Sequence, residues 1–387
     1  MHISPRSIVE GVFTAGALCG LGYYLMGAWT GAKFLRDKKN TGPRTNAGPP
    51  VSILKPVQGT DPGAYESFRS HCLQDYPEYE VIFVVGDAND AAVPLIEQLQ
   101  REFPGHSIQI AVCPLVLGTN RKVGNLLQAL PLARHEYLLI NDGDVRVPPH
   151  YLSSVMEHFS DEKVGLVTCL YRGVPGAGLA SKLEALGINT EFAAGVLVAR
   201  QIEGGLRFGL GGTLAFSRKA LNDIGGLEPM VDYLADDYEL GARIAAAGYK
   251  VVLSQEVVAV YVPEYSFSEF FQHQLRWGRG TRNSRKLGYS GLILTFGTFW
   301  ALLAVLASRG APAAWGLLGL LLLARMTMAL VVGTGVLRAR EVLRDLWLVP
   351  LRDLVALVIW AGSYTGRTVA WRGKYFILEN GKLRPVG

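Results

Sequence analysis

The stretch "LLINDGDVRVPPHYL", Leu138 to Leu152, is the part of the sequence that decides the predicted fold. An apolar run typical of a buried strand ends at Asp142 and Asp144, and a Pro-Pro step then leads into a predicted helix. Because residues i and i+2 of a strand point to the same side, we expect both carboxylates to face one ligand. Two acids on one side favour a cationic ligand.

Strand patterns alternate with helix patterns upstream of this stretch. The strand segments are VSILKP, YEVIFVVGD, SIQIAVC and EYLLIND, and helices are predicted near residues 65–72, 92–103 and 122–130. This order predicts an α/β fold with a Rossmann-like, mostly parallel sheet. Ligands of such sheets bind at the carboxyl ends of the strands, which is where the acids fall.

The acids at the strand ends differ in what they indicate. Asp87 closes the second strand, and Asp90 follows it in a position typical of a helix cap or a turn residue. Asp142 and Asp144 close the fourth strand segment as a pair. Paired carboxylates at a site open to water suit a hard divalent cation, Mg²⁺ or Mn²⁺, and such a cation suits a diphosphate.

Glycines and a second acid pair follow further along the chain. In "RFGLGGTLAFSRKAL", the glycines Gly209, Gly211 and Gly212 allow tight turns or a close approach of backbone to ligand, and no GKS or GKT ends the segment as in a phosphate loop. The segment "YLADDYELGARIAAAGYKV" predicts a helix that begins near Asp236 and Asp237. These acids either complement the helix dipole, or one of them is a general base for an acceptor hydroxyl.

A motif of mixed chemistry precedes the last apolar block. In "FFQHQLRWGRGTRNSRK", the spacing places His273, Arg276 and Trp277 on one face of a helix. Trp and Arg at this position are typical of an interfacial helix at headgroup level. A ligand-binding role is compatible with that placement.

The composition predicts that part of the chain lies in lipid. Of the 387 residues, 49% are hydrophobic, and the mean hydropathy of +0.21 is high for a soluble enzyme. The net charge of +5 comes from basic residues beside apolar stretches, which favours membrane flanks over nucleic acid. The four cysteines are far apart, so the pattern predicts neither a zinc site nor a disulfide framework and fits a reducing compartment.

Apolar runs at both ends define the expected membrane segments. Residues 11–32 are uncharged and are followed by basic residues, which predicts a transmembrane helix with its C-terminal side in the cytoplasm. Residues 290–308 and 310–337 are further predicted spans, and Arg325 within the latter is expected to face other helices, a lipid headgroup or the catalytic domain. Residues 354–364 are short for a span and are expected to lie in the interface or to re-enter, with a third full span as the alternative.

Taken together, these motifs resemble the membrane glycosyltransferases of the GT-A fold, in particular the ceramide glucosyltransferases and the related bacterial enzymes that glycosylate hopanoids. The segments "ILKPVQGTDP", "NRKVGNL", "VGLVTCLYRG" and "HQLRWGR" carry the resemblance over Val51–Tyr289, and "WRGKYF" extends it into the tail. It is more specific for the superfamily than for the acceptor.

The resemblance implies a role for each site residue. Asp87 would bind the uridine of a UDP-sugar, Lys122 would lie near the nucleotide, and Asp144 with Asp142 would hold the metal. Asp237, the second acid of the family's Glu-Asp pair, would be the base, with Asp236 as the other candidate. Arg276 and Trp277 would line the donor site. His273 departs from the Gln or Arg of the family motif, which makes a processive synthase a weaker interpretation.

The predicted organisation runs in order along the chain: 1–33 anchor, 34–50 linker, 51–270 GT-A domain, 271–289 interfacial helix, 290–366 C-terminal membrane segments and 367–387 basic tail. The predicted function is inverting transfer of glucose or N-acetylglucosamine from a UDP-sugar to a lipid hydroxyl, with ceramide or a hopanoid as acceptor. The predicted location is a bacterial inner membrane, with the catalytic domain facing the cytoplasm. A polysaccharide synthase and an inactive nucleotide-sugar-binding scaffold are the alternatives.

Overall fold

Alternating strands and helices build the first part of the computed structural model, which describes residues 5–39, 48–61 and 63–386. Residues 40–47 of the predicted linker, 34–50, lie outside these described ranges. The strands are β1 Val51–Pro56, β2 Tyr79–Val85, β3 Ile108–Val112, β4 Tyr137–Ile140, β5 Val145–Arg146, β6 Val164–Val174, β7 Leu214–Ser217, β8 Lys250–Tyr261, β9 Thr368–Trp371, β10 Lys374–Glu379 and β11 Lys382–Pro385.

Helices connect the strands of the main sheet and form most of the chain between β8 and β9. They are α1 Pro5–Lys39, α2 Ala64–Cys72, α3 Val93–Glu102, α4 Arg121–Ala129, α5 Tyr151–Met156, α6 Leu179–Gly187, α7 Ala193–Ile202, α8 Arg218–Asp223, α9 Asp236–Ala246, α10 Phe267–Ser284, α11 Lys286–Gly291, α12 Gly297–Ala307, α13 Pro312–Ala329, α14 Glu341–Asp345 and α15 Val349–Ser363. Two π-helical segments, Ile188–Phe192 and Leu330–Val336, extend α6 and α13.

The main sheet has eight strands in the order β3-β2-β1-β4-β7-β6-β8-β5. The pairs β1/β2, β1/β4, β2/β3 and β6/β8 are parallel, whereas β7 and β5 pair antiparallel with their neighbours. The central strands β1 and β2 are buried along almost their whole length, as expected of apolar runs covered on both faces. The predicted α/β fold with a mostly parallel sheet is confirmed.

The chain divides into two compact units. The sheet unit comprises Asn40–Gly176, Ile202–Pro263 and Thr368–Gly387, and the helical unit comprises Met1–Lys39, Ala177–Gln201 and Glu264–Arg367. The predicted GT-A domain therefore contains a segment, Ala177–Gln201, that clusters with the apolar helices instead of the sheet.

The C-terminal segment predicted as a basic tail folds as a small sheet of its own. Strands β9, β10 and β11 form a three-stranded antiparallel meander. Its inner face is apolar and packs against Leu234 of the sheet unit, in a cluster that contains Val369, Phe376, Leu378 and Leu383.

Within the described residues of the helical unit, Pro5–Asp37 and Pro312–Val336 are long and apolar enough to cross a bilayer. The predicted span at residues 290–308 corresponds to a pair of helices, Lys286–Thr295 and Gly297–Ala307, bent by 49° at the break between them, which is the geometry of a broken span or of a re-entrant loop. Helix α15 is a continuous helix of 15 residues, which is shorter than a full span.

Glycines let the apolar helices approach closely. A Cβ added to Gly20 in α1 would lie 2.2 Å from the Cα of Gly297 at the start of α12, so a side chain at Gly20 would force these backbones apart. The hydrophobic effect does not drive contacts between helices in lipid. Small residues at such contacts allow close packing, which stabilises the contact in its place.

Arg325 lies inside the predicted span and is 2% exposed. Its guanidinium bonds the carboxylate of Asp353 in α15, with Nη2 2.8 Å from Oδ1, and its Nη2 lies 3.2 Å from the hydroxyl of Thr190. Of the expected environments for Arg325, the structure therefore shows contact with other helical segments. A paired arginine avoids most of the cost of an isolated charge in an apolar region.

We expect Asp353→Ala to destabilise the protein by about 3–5 kcal/mol, because it leaves the buried Arg325 charge unpaired. The double variant Arg325→Met with Asp353→Leu should be closer to the wild type, since it removes both charges. Thermal unfolding in detergent measures the difference. Equal destabilisation of the single and double variants would show that the ion pair does not carry the effect.

Candidate functional site

Lys122 joins two of the predicted acids across the carboxyl end of the sheet. Its Nζ lies 2.7 Å from Oδ1 of Asp142 and 3.0 Å from Oδ2 of Asp236. Burial lowers the pKa of Lys122, but these carboxylates outweigh burial and raise its pKa above the ordinary range. The ammonium therefore stays charged and holds the loop after β4 to the start of α9.

The position of Lys122 follows from the N-terminus of α4. Asn120 is the N-cap, and its Oδ1 accepts a hydrogen bond from the backbone N of Val123. Its Nδ2 donates to the carbonyl of Tyr233 at 2.7 Å and to Oδ1 of Asp236 at 3.3 Å. One asparagine thus caps the helix that carries Lys122 and contacts the segment that carries the acid pair.

Asp237 is held by backbone amides. Its Oδ2 accepts a hydrogen bond from the N of Gly211 at 2.8 Å, and its Oδ1 accepts one from the N of Tyr238 at 2.8 Å. Burial, followed by the neighbouring Asp236 carboxylate, raises the pKa of Asp237 above that of an ordinary aspartate. A carboxylate with a raised pKa is a stronger base than an exposed one once it is ionised.

Gly211 separates the two acid pairs. A Cβ added at Gly211 would lie 2.7 Å from Oδ2 of Asp142 and 3.3 Å from Oδ2 of Asp237. Asn141, which directly follows β4, donates from Nδ2 to the carbonyl of Gly212 at 2.7 Å and so ties this glycine loop to the strand end. Gly211 therefore brings the backbone close to one acid of each pair, and the approach of these glycines to a ligand stays a prediction.

Asp142 and Asp144 do not lie on a strand, so the expectation from strand alternation is wrong. Strand β4 ends at Ile140, and the pair lies in a turn before β5 in which the N of Val145 donates to the carbonyl of Asp142 at 3.2 Å. The turn places the carboxylates in different surroundings. Asp142 pairs with Lys122, whereas burial and the Asp142 charge raise the pKa of Asp144 to about 7.

Lys55 is a residue of this site that the sequence reasoning missed. It lies in β1 and is fully buried, and its Nζ donates to the carbonyl of Asp142 at 2.8 Å. Burial lowers the pKa of Lys55 to about 7, although Asp144 and Asp142 oppose this shift. The available signal was a single lysine inside the apolar strand VSILKP, since a charge in a buried strand requires a partner.

The acids at this strand end fit a divalent cation. Asp142 and Asp144 supply hard oxygen ligands, and the Asp142 side chain is 40% exposed. Burial raises the pKa of Asp144 most, and the Asp142 charge adds a contribution that a cation would offset. Among the described residues, no three His, Cys, Asp or Glu side chains converge on one point. A cation here would therefore complete its coordination with water or with substrate oxygens.

Asp87 and Asp90 follow β2 and differ in their contacts. Asp87 is exposed, and its Oδ1 accepts a hydrogen bond from the N of Asn89 at 2.9 Å. Asp90 accepts from the N of Gly59 at 2.8 Å and from the N of Ala92 at 2.9 Å. These bonds bear out the interpretation of Asp90 as a turn residue, whereas the N-cap of α3 is Ala92.

The residues of the HxxRW motif lie on α10 in the helical unit. His273 Nδ1 is 3.1 Å from Oε2 of Glu184, a 3% exposed residue of α6. The His273 ring lies 4.9 Å from the Trp277 ring and 5.6 Å from the Tyr265 ring, measured between centroids. Arg276 is on the same turn of the helix. The contact with Glu184 was not anticipated, because it joins segments that are 89 residues apart.

The parallel sheet with acids at its carboxyl edge defines a GT-A-like fold. A solved structure with this fold is the mannosyltransferase PcManGT from Pyrobaculum calidifontis in complex with GDP-Man and Mn²⁺. The two are 19% identical with a TM-score of 0.56, and the alignment covers 92% of this chain and 99% of that one. The likeness concerns the fold.

Residues 12–384 match the model of Glycosyl transferase family 21, and the chain belongs to that family. It is 26% identical over 230 residues to ceramide glucosyltransferase 3 of Caenorhabditis elegans, covering 59% of this chain and 50% of that protein. It is 27% identical over 158 residues to β-monoglucosyldiacylglycerol synthase of Trichormus variabilis, covering 40% and 32% respectively. The chain thus matches about half the length of this ceramide glucosyltransferase.

We expect Gly211→Ala to lower sugar-transfer activity by about 10²-fold, because the new Cβ displaces Asp142 and Asp237 and a misplacement of about 1 Å carries a cost of that size. Gly105→Ala is the matched control, since a Cβ at Gly105 meets nothing within 4 Å. Steady-state turnover of both variants tests this. Unchanged turnover in Gly211→Ala would show that the loop moves to accept the new Cβ without displacing Asp142 and Asp237.

Proposed function

We propose that the protein is an inverting glycosyltransferase that moves glucose or N-acetylglucosamine from a UDP-sugar to a hydroxyl of a membrane lipid. The observation that carries the proposal is the position of Asp237 across Gly211 from Asp142, because a base at Asp237 would lie beside the acids suited to a diphosphate-bound cation. Membership of family 21 and the named relatives support lipid glycosylation.

Donor binding would use the strand ends of the sheet unit. Asp87 would bind the uridine, and Lys122 would lie near the nucleotide while it holds Asp142 in place. Asp142 and Asp144 would hold Mg²⁺ or Mn²⁺, which when bound neutralises charge on the diphosphate. His273, Arg276 and Trp277 would belong to the donor site.

The reaction would be a single displacement at the anomeric carbon. The acceptor hydroxyl would lose its proton to the Asp237 carboxylate as its oxygen bonds to the anomeric carbon. The bond from that carbon to the UDP oxygen breaks, and its electron pair leaves with UDP. One displacement without a covalent intermediate inverts the configuration, so an α-linked UDP-sugar would give a β-glycoside.

The apolar helices support an acceptor that stays in the bilayer. Two described helices are able to span a membrane, and the basic residues that follow the first of them favour a cytoplasmic sheet unit. The location in a bacterial inner membrane is the part of the proposal that comes from the resemblance to bacterial lipid-glycosylating enzymes. Ceramide, diacylglycerol and a hopanoid polyol are the acceptors to test.

The test is transfer of labelled sugar into the organic phase. Membranes that contain the protein are incubated with UDP-glucose or UDP-N-acetylglucosamine, Mg²⁺ or Mn²⁺, and each acceptor in turn. Metal-dependent label in a β-glycoside supports the proposal, and the productive pair identifies donor and acceptor. An α-glycoside product would overturn the single displacement, and growth of a polymer would favour a polysaccharide synthase.

We expect Asp237→Asn to lower kcat by about 10²- to 10⁴-fold, the range for loss of a general base. Asp161→Asn is the matched control, because Asp161 makes a surface ion pair with Lys250. Transfer rates at saturating donor measure both variants. If Asp236→Asn lost activity while Asp237→Asn kept it, the base would be Asp236.

The pH dependence should reflect the raised pKa of Asp237. Protonation removes the base, so kcat/KM should fall as the pH drops through this pKa, at a higher pH than the value of about 3.9 for an exposed aspartate. A pH–rate profile at saturating metal measures the midpoint. A rate that stays constant down to pH 4 would contradict the role given to Asp237.

A further inference from the structure

We propose that the C-terminal sheet, β9–β11, is a positioning element of the active site that holds the segment carrying Asp236 and Asp237. This inference rests on the proposed function, because it assigns the sheet to the site of that reaction. The sheet comes after the apolar helices in the sequence, yet it belongs to the sheet unit.

The acid pair depends on support from outside its own helix. Helix α9 begins at Asp236, and its N-cap is Ala235, whose methyl group cannot accept a hydrogen bond from the first turn. The start of α9 is therefore not fixed by the side chain that usually does so. The preceding residues, 231–235, must be held by other contacts.

One set of contacts comes from the loop before Lys122. The N of Asn120 donates to the carbonyl of Val231 at 2.8 Å, and the N of Thr119 donates to Oδ1 of Asp232 at 3.0 Å. A Cβ at Gly118 would lie 2.5 Å from the carbonyl oxygen of Val231, so the two segments touch along their backbones.

The C-terminal sheet adds the second set of contacts. The N of Leu383 donates to the carbonyl of Asp232 at 2.7 Å, and the N of Leu234 donates to the carbonyl of Gly381 at 3.0 Å. The hydroxyl of Thr119 lies 2.9 Å from Oδ1 of Asp232 and 3.0 Å from the carbonyl of Leu383. All three segments therefore meet at Thr119.

Apolar packing and a second polar contact fix the sheet itself. Leu234 packs into the apolar cluster of the C-terminal sheet, and Leu383 within that cluster is 2% exposed. On its other side, Nη1 of Arg372 lies 2.8 Å from Oε1 of Gln58 in the loop after β1. The sheet thus contacts the loop after a central strand as well as the segment before α9.

The function of these contacts is to keep the Asp237 carboxylate at the right distance from the acceptor hydroxyl. A shift of about 1 Å at a reacting group lowers a rate by about 10²-fold, whereas Asp87, the residue proposed for the uridine, follows β2 and lies outside this segment. Loss of the C-terminal contacts should therefore lower kcat about 10- to 100-fold and change the donor KM less than kcat, with any change in KM arising where Lys122 joins Asp236 to Asp142.

The experiment combines hydrogen exchange with kinetics in the full chain. Leu383→Ala and Thr119→Val are compared with Thr119→Ser, which keeps the hydroxyl, and with Arg384→Ala, which removes only an ion pair to Glu379 on the sheet surface. We expect amide exchange over residues 231–238 to rise at least tenfold in the first two variants and kcat to fall with it. Thr119→Ser and Arg384→Ala should behave like the wild type.

Two results would overturn the proposal: faster exchange over residues 231–238 with unchanged kcat, or unchanged exchange in both variants. Should Leu383→Ala fail to fold, Thr119→Val alone decides between these outcomes. If wild-type protein transfers no sugar to any lipid, the proposed function fails, while exchange over residues 231–238 still shows whether the sheet holds the segment.

Discussion

The ammonium of Lys122 is the interaction on which the site depends. Asp142 and Asp236 come from separate loops, and without a cation between them their charges would repel across a partly buried gap. Lys122 satisfies both with a single charge. Because Asn120 caps the helix of Lys122 and also contacts Asp236, the backbone and the charges impose the same arrangement.

The site contains more acids than lysines, and this explains which ligand it favours. Lys122 balances part of the negative charge, and Lys55 lies buried beneath the turn that carries Asp142 and Asp144. Burial raises the pKa values of Asp144 and Asp237 most, and the neighbouring acids Asp142 and Asp236 add to the shift. A site with several acids in such surroundings favours a ligand that brings its own cation, as a metal-bound diphosphate does.

Much of the sheet unit was predictable, because its central strands are uninterrupted apolar runs bounded by turn residues. VSILKP corresponds to β1, and the acids do follow β2 and β4. The turn at Asp142 was not predictable, since one residue decides whether a carboxylate still belongs to the strand. The pairing of Lys122 with Asp236 depends on tertiary structure, because periodicity carries no information on contacts so distant in sequence.

Two further differences between prediction and structure concern the apolar run before α13 and the C-terminal segment. The apolar run at residues 290–308 is uniform in composition, yet its helix breaks before Gly297. Strands β9–β11 are short and charged on their outer face, so they resemble a solvated basic segment until a partner covers the inner face. Their partner, Leu234, lies more than 130 residues away in the sequence.

The place of the C-terminal sheet in the sequence has a consequence for biosynthesis. Leu383 meets Asp232 only after α10–α15 have left the ribosome, since those helices lie between the two contact partners. A nascent chain that stops within α10–α15 already contains every acid of the site. It still lacks the C-terminal sheet that contacts the segment before α9. Completion of the site is thereby tied to synthesis of the apolar helices, and newly made sheet units acquire their final contacts after the membrane segments are made.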